Sequence, residues 1–195
     1  MFVRFIRDII SRRYQHPARY PVKQINVEKN KNLSLETTSN GGGQANNTGN
    51  ALEVFVENAL TRKGYEEFWD HKAQIFENRK AVGGKQFAKQ VPCGTSIYET
   101  QRKCDFLVLN SERFPEGLII ECKWQQSSGS VDEKYPFTLF NIIKIGVPTV
   151  ILLDGGGYKP AAMKWLKDQV NPQRALIGVW DMKEFQTKVN NGFLG

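Results

Sequence analysis

Apolar residues recur along this chain at two different spacings, and the change from one to the other divides it. Phe2, Val3, Phe5, Ile6, Ile9 and Ile10 fall at helical spacing with Arg4, Arg7, Arg12 and Arg13 between or after them. This predicts an amphipathic basic helix. His16-Pro17 to Pro21 should end it, because proline cannot continue a helix. From Asn26 to Asn50 apolar residues are sparse and Asn, Gly, Ser, Thr and Gln dominate, including Gly41-Gly42-Gly43. A flexible linker is the expectation there. A second helix then follows over Asn50 to Gly64, where Leu52, Phe55, Val56, Ala59 and Leu60 form one stripe and Gly64 supplies the stop.

Beyond residue 100 the spacing shortens to two. Arg102 to Leu109 and Gly117 to Gln125 have the short, β-branched, apolar character of strands, and the Asn110–Glu116 link, with Pro115 and then Gly117, reads as a hairpin turn. The stretch before them is less patterned: His71 to Phe76 reads as a strand, and Gln86–Val91 with Ser96–Glu99 as a hairpin arm around Pro92 and Gly94. After Gln125 a polar segment leads through the capping signal Ser130-Val131-Asp132-Glu133 into a helix reaching Lys144, with Pro136 in its first turns. Gly146–Asp154 reads as a buried central strand, Gly155–Lys159 as a strand-to-helix turn, Ala175–Trp180 as a further strand and Met182 as the start of a last helix. Strands alternating with helices imply an α/β domain with helices on the faces of a mixed sheet.

Strand alternation puts Glu121, Lys123 and Gln125 on one face and Ile120, Cys122 and Trp124 on the other. Asp105 precedes the apolar run of the neighbouring strand, and pairing would bring its carboxylate beside Glu121. Two carboxylates and one lysine inside an apolar sheet are costly without a purpose.

Asp105, a hairpin, then Glu121-Cys122-Lys123 resembles the active-site signature of the PD-(D/E)XK nuclease superfamily, over roughly Asn50 to Asp154. The continuation Gln125 to Lys134 is similar to that of restriction-type members, and Cys104 stands where the usual pattern has proline. The resemblance implies a restriction-endonuclease-like core, a mixed central β-sheet flanked by helices in the order αβββαβ. It implies magnesium, with manganese able to substitute, held by Asp105, Glu121 and the backbone carbonyl of Cys122, with Lys123 against the attacking water. Relatives commonly add an acid from the first helix. Here that is Glu53, at the edge of the apolar stripe, although Asn50 with Glu53 also fits a capping box. Gln125 shares the site face and completes the candidate catalytic set; Lys134, Arg102 and Lys103 are the candidate nucleic-acid contacts.

Composition narrows the alternatives. Cys93, Cys104 and Cys122 are an odd number without metal-ligand spacing, and only His16 and His71 are present, so neither a zinc site nor a histidine-based triad has its material. The cysteine usage points to a reducing cytoplasm, and no apolar run reaches membrane-spanning length. The net charge is +7, but residues 1–31 carry eight Lys/Arg against Asp8 and Glu28, so the excess is a cationic arm rather than a basic core. The expected organisation is a basic arm over 1–25, a linker over 26–49 and a nuclease domain over 50–195. The expected partner is DNA and not a membrane, and a homodimer would match duplex-cutting relatives. A structure-selective junction nuclease, a mobile-element or phage nuclease, and a non-catalytic nucleic-acid-binding module are the alternatives.

Overall fold

The computed structural model describes residues 41–68, 72–81, 83–127 and 132–195, with side chains for all of these except 41–50, 72, 73 and 81. The basic arm, the linker up to residue 40, His71 and the Ser130-Val131 half of the capping signal lie outside the described residues.

Helix α1 spans Gly41–Arg62, followed by β1 (Glu66–Glu67), a short α2 (Lys72–Ile75), β2 (Lys85–Thr95), β3 (Gln101–Asn110) and β4 (Phe114–Trp124). Then come α3 (Tyr135–Ile145), β5 (Thr149–Asp154), α4 (Pro160–Asp168), β6 (Leu176–Trp180) and α5 (Met182–Asn190). The six strands form one sheet in sequential order, antiparallel at β2–β3–β4 and parallel at β1–β2 and β4–β5–β6. This is the mixed α/β sheet that the resemblance implied.

Both faces are covered. On one, α1 and α5 bring Leu52, Val56, Leu60, Phe185 and Val189 against Phe87, Phe106, Val108, Leu118, Ile120, Val150 and Leu152. On the other, Ile75 and Phe76 cover β2 and β3, while α3 and α4 bring Leu139, Ile142, Met163 and Leu166 against Ile151, Leu153 and Val179. Burial on both faces explains why β5 is apolar at every position from Val150 to Leu153. Each such side chain contributes about 1.5–3 kcal/mol when fully buried. Truncating Phe106, which is wholly buried at the sheet centre, would cost about 3–5 kcal/mol.

Several local expectations need correcting. Gly41–Asn50, expected as the end of the linker, is helical. A helix anchored by the Leu52–Leu60 stripe extends without a second nucleation, and this offsets the poor propensity of glycine and asparagine. Asn50 is therefore inside the helix, and the capping box with Glu53 does not form there. His71–Phe76 is not a strand, since Lys72–Ile75 make one helical turn; a short apolar run does not distinguish the two. Pro92 and Gly94 lie within β2, and the turn falls at Ser96–Thr100. Pro115 and Gly117 lie within β4, with the turn at Ser111–Arg113.

One reason covers both misplaced turns. β1 pairs with β2 only at Gln86 and Phe87, and β5 joins β4 only from Ile119, so each proline sits where its strand has one partner. A missing N–H is tolerated there. Lys134 occupies the N-cap position of α3 without a side-chain cap bond, Pro136 lies in the first turn, and Gly146 N donates to Ile142 O at the other end.

Candidate active site

The ladder between β3 and β4 runs through Phe106 opposite Ile120 and stops. Beyond that point the strands exchange a side chain for a backbone group, because Cys122 N donates to Asp105 Oδ2 at 2.7 Å. This fixes the Asp105 carboxylate at the opening of the two strands. Gln90, with φ of 53°, donates from Nε2 to Asp105 Oδ1 at 3.3 Å.

Lys123 Nζ reaches three oxygens at once: Glu121 Oε2 at 3.0 Å, Cys122 O at 3.3 Å and Asp105 Oδ2 at 3.5 Å. Arg102 Nη2 donates to the other oxygen of Glu121 at 2.6 Å. The Glu121 side chain is only 4% exposed and that of Lys123 is 35% exposed, so the acid is sunk in the sheet and the ammonium opens outward. Burial alone would raise the Glu121 carboxyl, but the Lys123 and Arg102 charges outweigh it and hold it below the usual carboxylate range. Burial likewise opposes the Lys123 charge, and Glu121 with Asp105 overrides it, holding the ammonium above the usual lysine range. As arranged, Lys123 is a charged hydrogen-bond donor that keeps its proton.

Glu53 approaches from α1. Burial and the Asp105 charge push its carboxyl up, against weaker pulls from Lys123 and Lys89. It belongs electrostatically to the cluster without a direct bond to it among the described contacts.

Asp105, Glu121 and Lys123 line a cleft of about 320 Å3 with Arg102, Lys103, Lys134, Tyr135, Phe137 and Thr138. Lys103 and Lys134 are exposed at its rim. Tyr135, Phe137, Thr138 and Gln90 were not singled out in the sequence. The helix start after Lys134 was a signal for the first three, whereas Gln90 emerges only from the β2–β3 register. A larger cleft of about 640 Å3 lies between β6 and α5 around Trp180 and Lys188, but its Lys167–Glu184 ion pair at 2.9 Å is no counterpart to the Asp105–Lys123 set.

The structure takes Gln125 elsewhere. Its side chain is buried, accepts from Tyr135 Oη at 2.6 Å, and donates to Asp132 Oδ1 at 3.0 Å and Gly157 O at 3.3 Å. It ties the start of α3 to the loop after β5. Gly157 is packed so closely on this segment that a Cβ would sit 2.3 Å from the carbonyl carbon of Gln126. The glycine loop thus serves close backbone approach, as a strand-to-helix turn should. The cations before β3 are also engaged away from the cleft: Lys80 pairs with Glu116 at 2.6 Å, and Arg79 donates to Glu116 O and Phe76 O.

Among the described residues no three His, Cys, Asp or Glu side chains converge as a metal cage. The donor set is two carboxylates and one backbone carbonyl, all within 3.5 Å of the Lys123 ammonium. Hard oxygens converging on one cationic position fit a magnesium-type ion, which keeps several waters of its own.

A mixed sheet opened at its centre over an Asp–Glu–Lys cluster is consistent with the restriction-endonuclease-like fold. Residues 44–193 match the PD-(D/E)XK nuclease superfamily domain, and the chain belongs to that superfamily. No curated protein and no solved structure matches the chain significantly. Membership makes this a hydrolase domain whose substrate is a nucleic acid, in a superfamily that generally uses divalent metals. Among the described residues no helix is long and apolar enough to cross a membrane.

Proposed function

We propose that the protein is a magnesium-dependent endonuclease that hydrolyses DNA phosphodiester bonds, of the restriction-endonuclease type. The observation that carries this reading is the grip of Asp105, Glu121 and the Cys122 carbonyl on one cationic point at the mouth of a lysine-rimmed cleft.

In this reading those three oxygens hold magnesium, and Glu53 adds a further acid from α1. The ion, when bound, supplies a Lewis acid for the phosphate and eases deprotonation of water. Lys123 donates to the attacking water or to a phosphate oxygen and so orients the nucleophile. Arg102 keeps Glu121 ionised and in place, and the Cys122 amide does the same for Asp105. Lys103 and Lys134 contact backbone phosphates, a sequence-independent contribution that weakens with salt.

The test is incubation of the full chain with linear, supercoiled, single-stranded and four-way-junction DNA, in magnesium or in EDTA, beside Lys123→Ala. Discrete magnesium-dependent fragments from linear duplex, absent in the variant, are expected. Cleavage confined to the junction would replace the restriction-type reading with a structure-selective one. Binding without cleavage of any substrate would overturn the enzyme reading.

A further inference from the structure

Among the described residues, aromatic rings are mostly interior or half-buried. Phe55 meets Phe185 and Trp180 meets Phe193 edge-on beneath the helices. Phe140 and Trp165 are exposed, but Tyr98 and Phe137 are exposed as a pair. Their rings stack at 5.2 Å between centroids and 24° between planes, with Tyr98 72% exposed and Phe137 36% exposed. Tyr98 stands at the tip of the β2–β3 hairpin, and Phe137 on the first turn of α3 lines the catalytic cleft. With one face of Tyr98 on Phe137, the ring's outer side is open to solvent.

The hairpin tip is held rigidly. Asn141, wholly buried, accepts from Ile97 N at 2.8 Å, while Lys144 donates to Ser96 O at 2.7 Å and to Glu99 Oε1 at 2.6 Å. Ser96 N donates to Thr100 O at 2.8 Å, and the two hydroxyls share a bond at 2.7 Å. Glu99 is held at φ of 61°, in the left-handed region. A rigid turn that holds a large ring out in water gains nothing for the core. It does pre-organise a flat apolar surface, which lowers the entropic cost of ligand binding.

We propose that Tyr98 and Phe137 form a stacking platform for an unpaired nucleobase of the DNA strand whose backbone lies in the cleft. The proposal rests on the nuclease reading and deepens it by assigning the substrate an unstacked nucleotide beside the scissile phosphate. Two observations favour a nucleobase over other apolar occupants. The platform is continuous with the cleft through Phe137, and the exposed Lys103 and Lys134 on that same cleft supply the charge that a phosphate backbone needs, whereas Arg102 is engaged by Glu121. Every base has a π face, so such a platform tolerates sequence while selecting for an unpaired base.

The experiment uses Asp105→Asn, expected to bind without cutting, in anisotropy titrations with a fluorescent 24-mer duplex and the same duplex carrying one unpaired 2-aminopurine. The unpaired base should tighten binding about tenfold, within the range of one base–aromatic stack, and the 2-aminopurine fluorescence should be quenched on binding. Adding Tyr98→Leu should bring the affinity ratio toward one and abolish the quenching, while Tyr98→Trp should keep both. Tyr98 is largely exposed, so circular dichroism and Tm should confirm that the variants fold. Equal affinities and no quenching in the Tyr98 protein, with duplex still bound and cut by the unmutated enzyme, would overturn the platform and leave the nuclease reading intact. No DNA bound in any form would overturn both. A dimer in sedimentation that Tyr98→Leu dissociates, with the affinity ratio unmoved, would reassign the surface to a second copy of the chain.

Discussion

Two polar clusters, one at Glu121 and Lys123 on β4 and one at Gln125 just past the end of that strand, have opposite characters. At Gln125 every side-chain polar atom has a partner: Tyr135 donates to its oxygen, and its amide serves Asp132 and Gly157. The group is neutral, buried and closed. At Glu121 and Lys123 one ammonium is shared by two carboxylates and a carbonyl, an arginine is drawn in from β3, and the assembly opens on a cleft. A buried amide with all its own partners, set beside the Asp132–Lys159 ion pair at 3.8 Å, fixes the start of a helix. Charges packed beyond what stability requires leave oxygens able to exchange an ammonium for a cation. In the proposed reading the difference separates a residue that builds the site from residues that do chemistry there, although all three were chosen from the sequence on the same ground of shared face.

The largest expected effects break the open cluster. Lys123→Ala and Asp105→Asn should each lower the cleavage rate by at least about 100-fold, the scale for removing one positioned charged group. Tm should move little in Asp105→Asn, because Asn can still accept from Cys122 N, and should fall in Lys123→Ala, which leaves buried Glu121 with Arg102 alone. Single-turnover rates beside thermal melts check this. Rates within a few-fold of the unmutated enzyme would remove both residues from the chemistry.

The closed cluster should respond the other way. Gln125→Ala leaves the Tyr135 hydroxyl and Asp132 without their partner inside the protein. At about 1–3 kcal/mol for each of the two unsatisfied groups, the loss should be roughly 2–6 kcal/mol in urea denaturation. Cleavage per folded molecule should fall far less than in Lys123→Ala. A collapse of turnover at unchanged stability would return Gln125 to the substrate.

Which parts were legible in the sequence follows from the same contrast. Asp105, Glu121 and Lys123 could be read because period-two alternation assigns faces and the flanking apolar runs fix the strands. The fate of Gln125 could not, since it depends on Tyr135 and Asp132 returning across the strand end. Pro92, Pro115 and Gly117 misplaced two turns because proline and glycine also occupy strands that have a neighbour on one side only. The overlap of Asn50 with a capping pattern is informative in the same way. The pattern Asn-x-x-Glu is local, but whether it caps depends on whether a helix begins there, and α1 begins at Gly41.

A smaller effect tests the charge balance at Glu121. Its folded pKa lies below the ordinary value, so its ionised form stabilises the fold above the unfolded pKa of about 4.3, and that contribution disappears as pH falls through the lower folded value. Lys123, raised in the fold, keeps its contribution through neutral pH and loses it only as pH climbs through its folded pKa. Urea midpoints measured from pH 7 down to pH 3 should therefore converge for the native chain and Glu121→Gln. A constant gap between the two curves would mean that Lys123 and Arg102 do not hold that carboxylate ionised.

The smallest expected effect, and the one that most sharpens the contrast, is at Glu53. Its carboxyl is raised first by burial and then by the Asp105 charge. A raised acid favours the fold in its neutral form, so this contribution is present below the unfolded pKa and is lost as pH rises through the folded one. At neutral pH the charged Glu53 is a net strain on α1, in contrast to Glu121, whose partners hold it. Glu53→Gln should therefore raise Tm slightly at pH 7 and have no such effect near pH 4. It should also weaken magnesium affinity measured by calorimetry if Glu53 adds an acid to the site. A variant more stable yet poorer in metal binding has the signature of a functional charge kept against stability. A lower Tm at pH 7 would instead make Glu53 a structural helix residue, and would leave Asp105, Glu121 and the Cys122 carbonyl as the whole donor set.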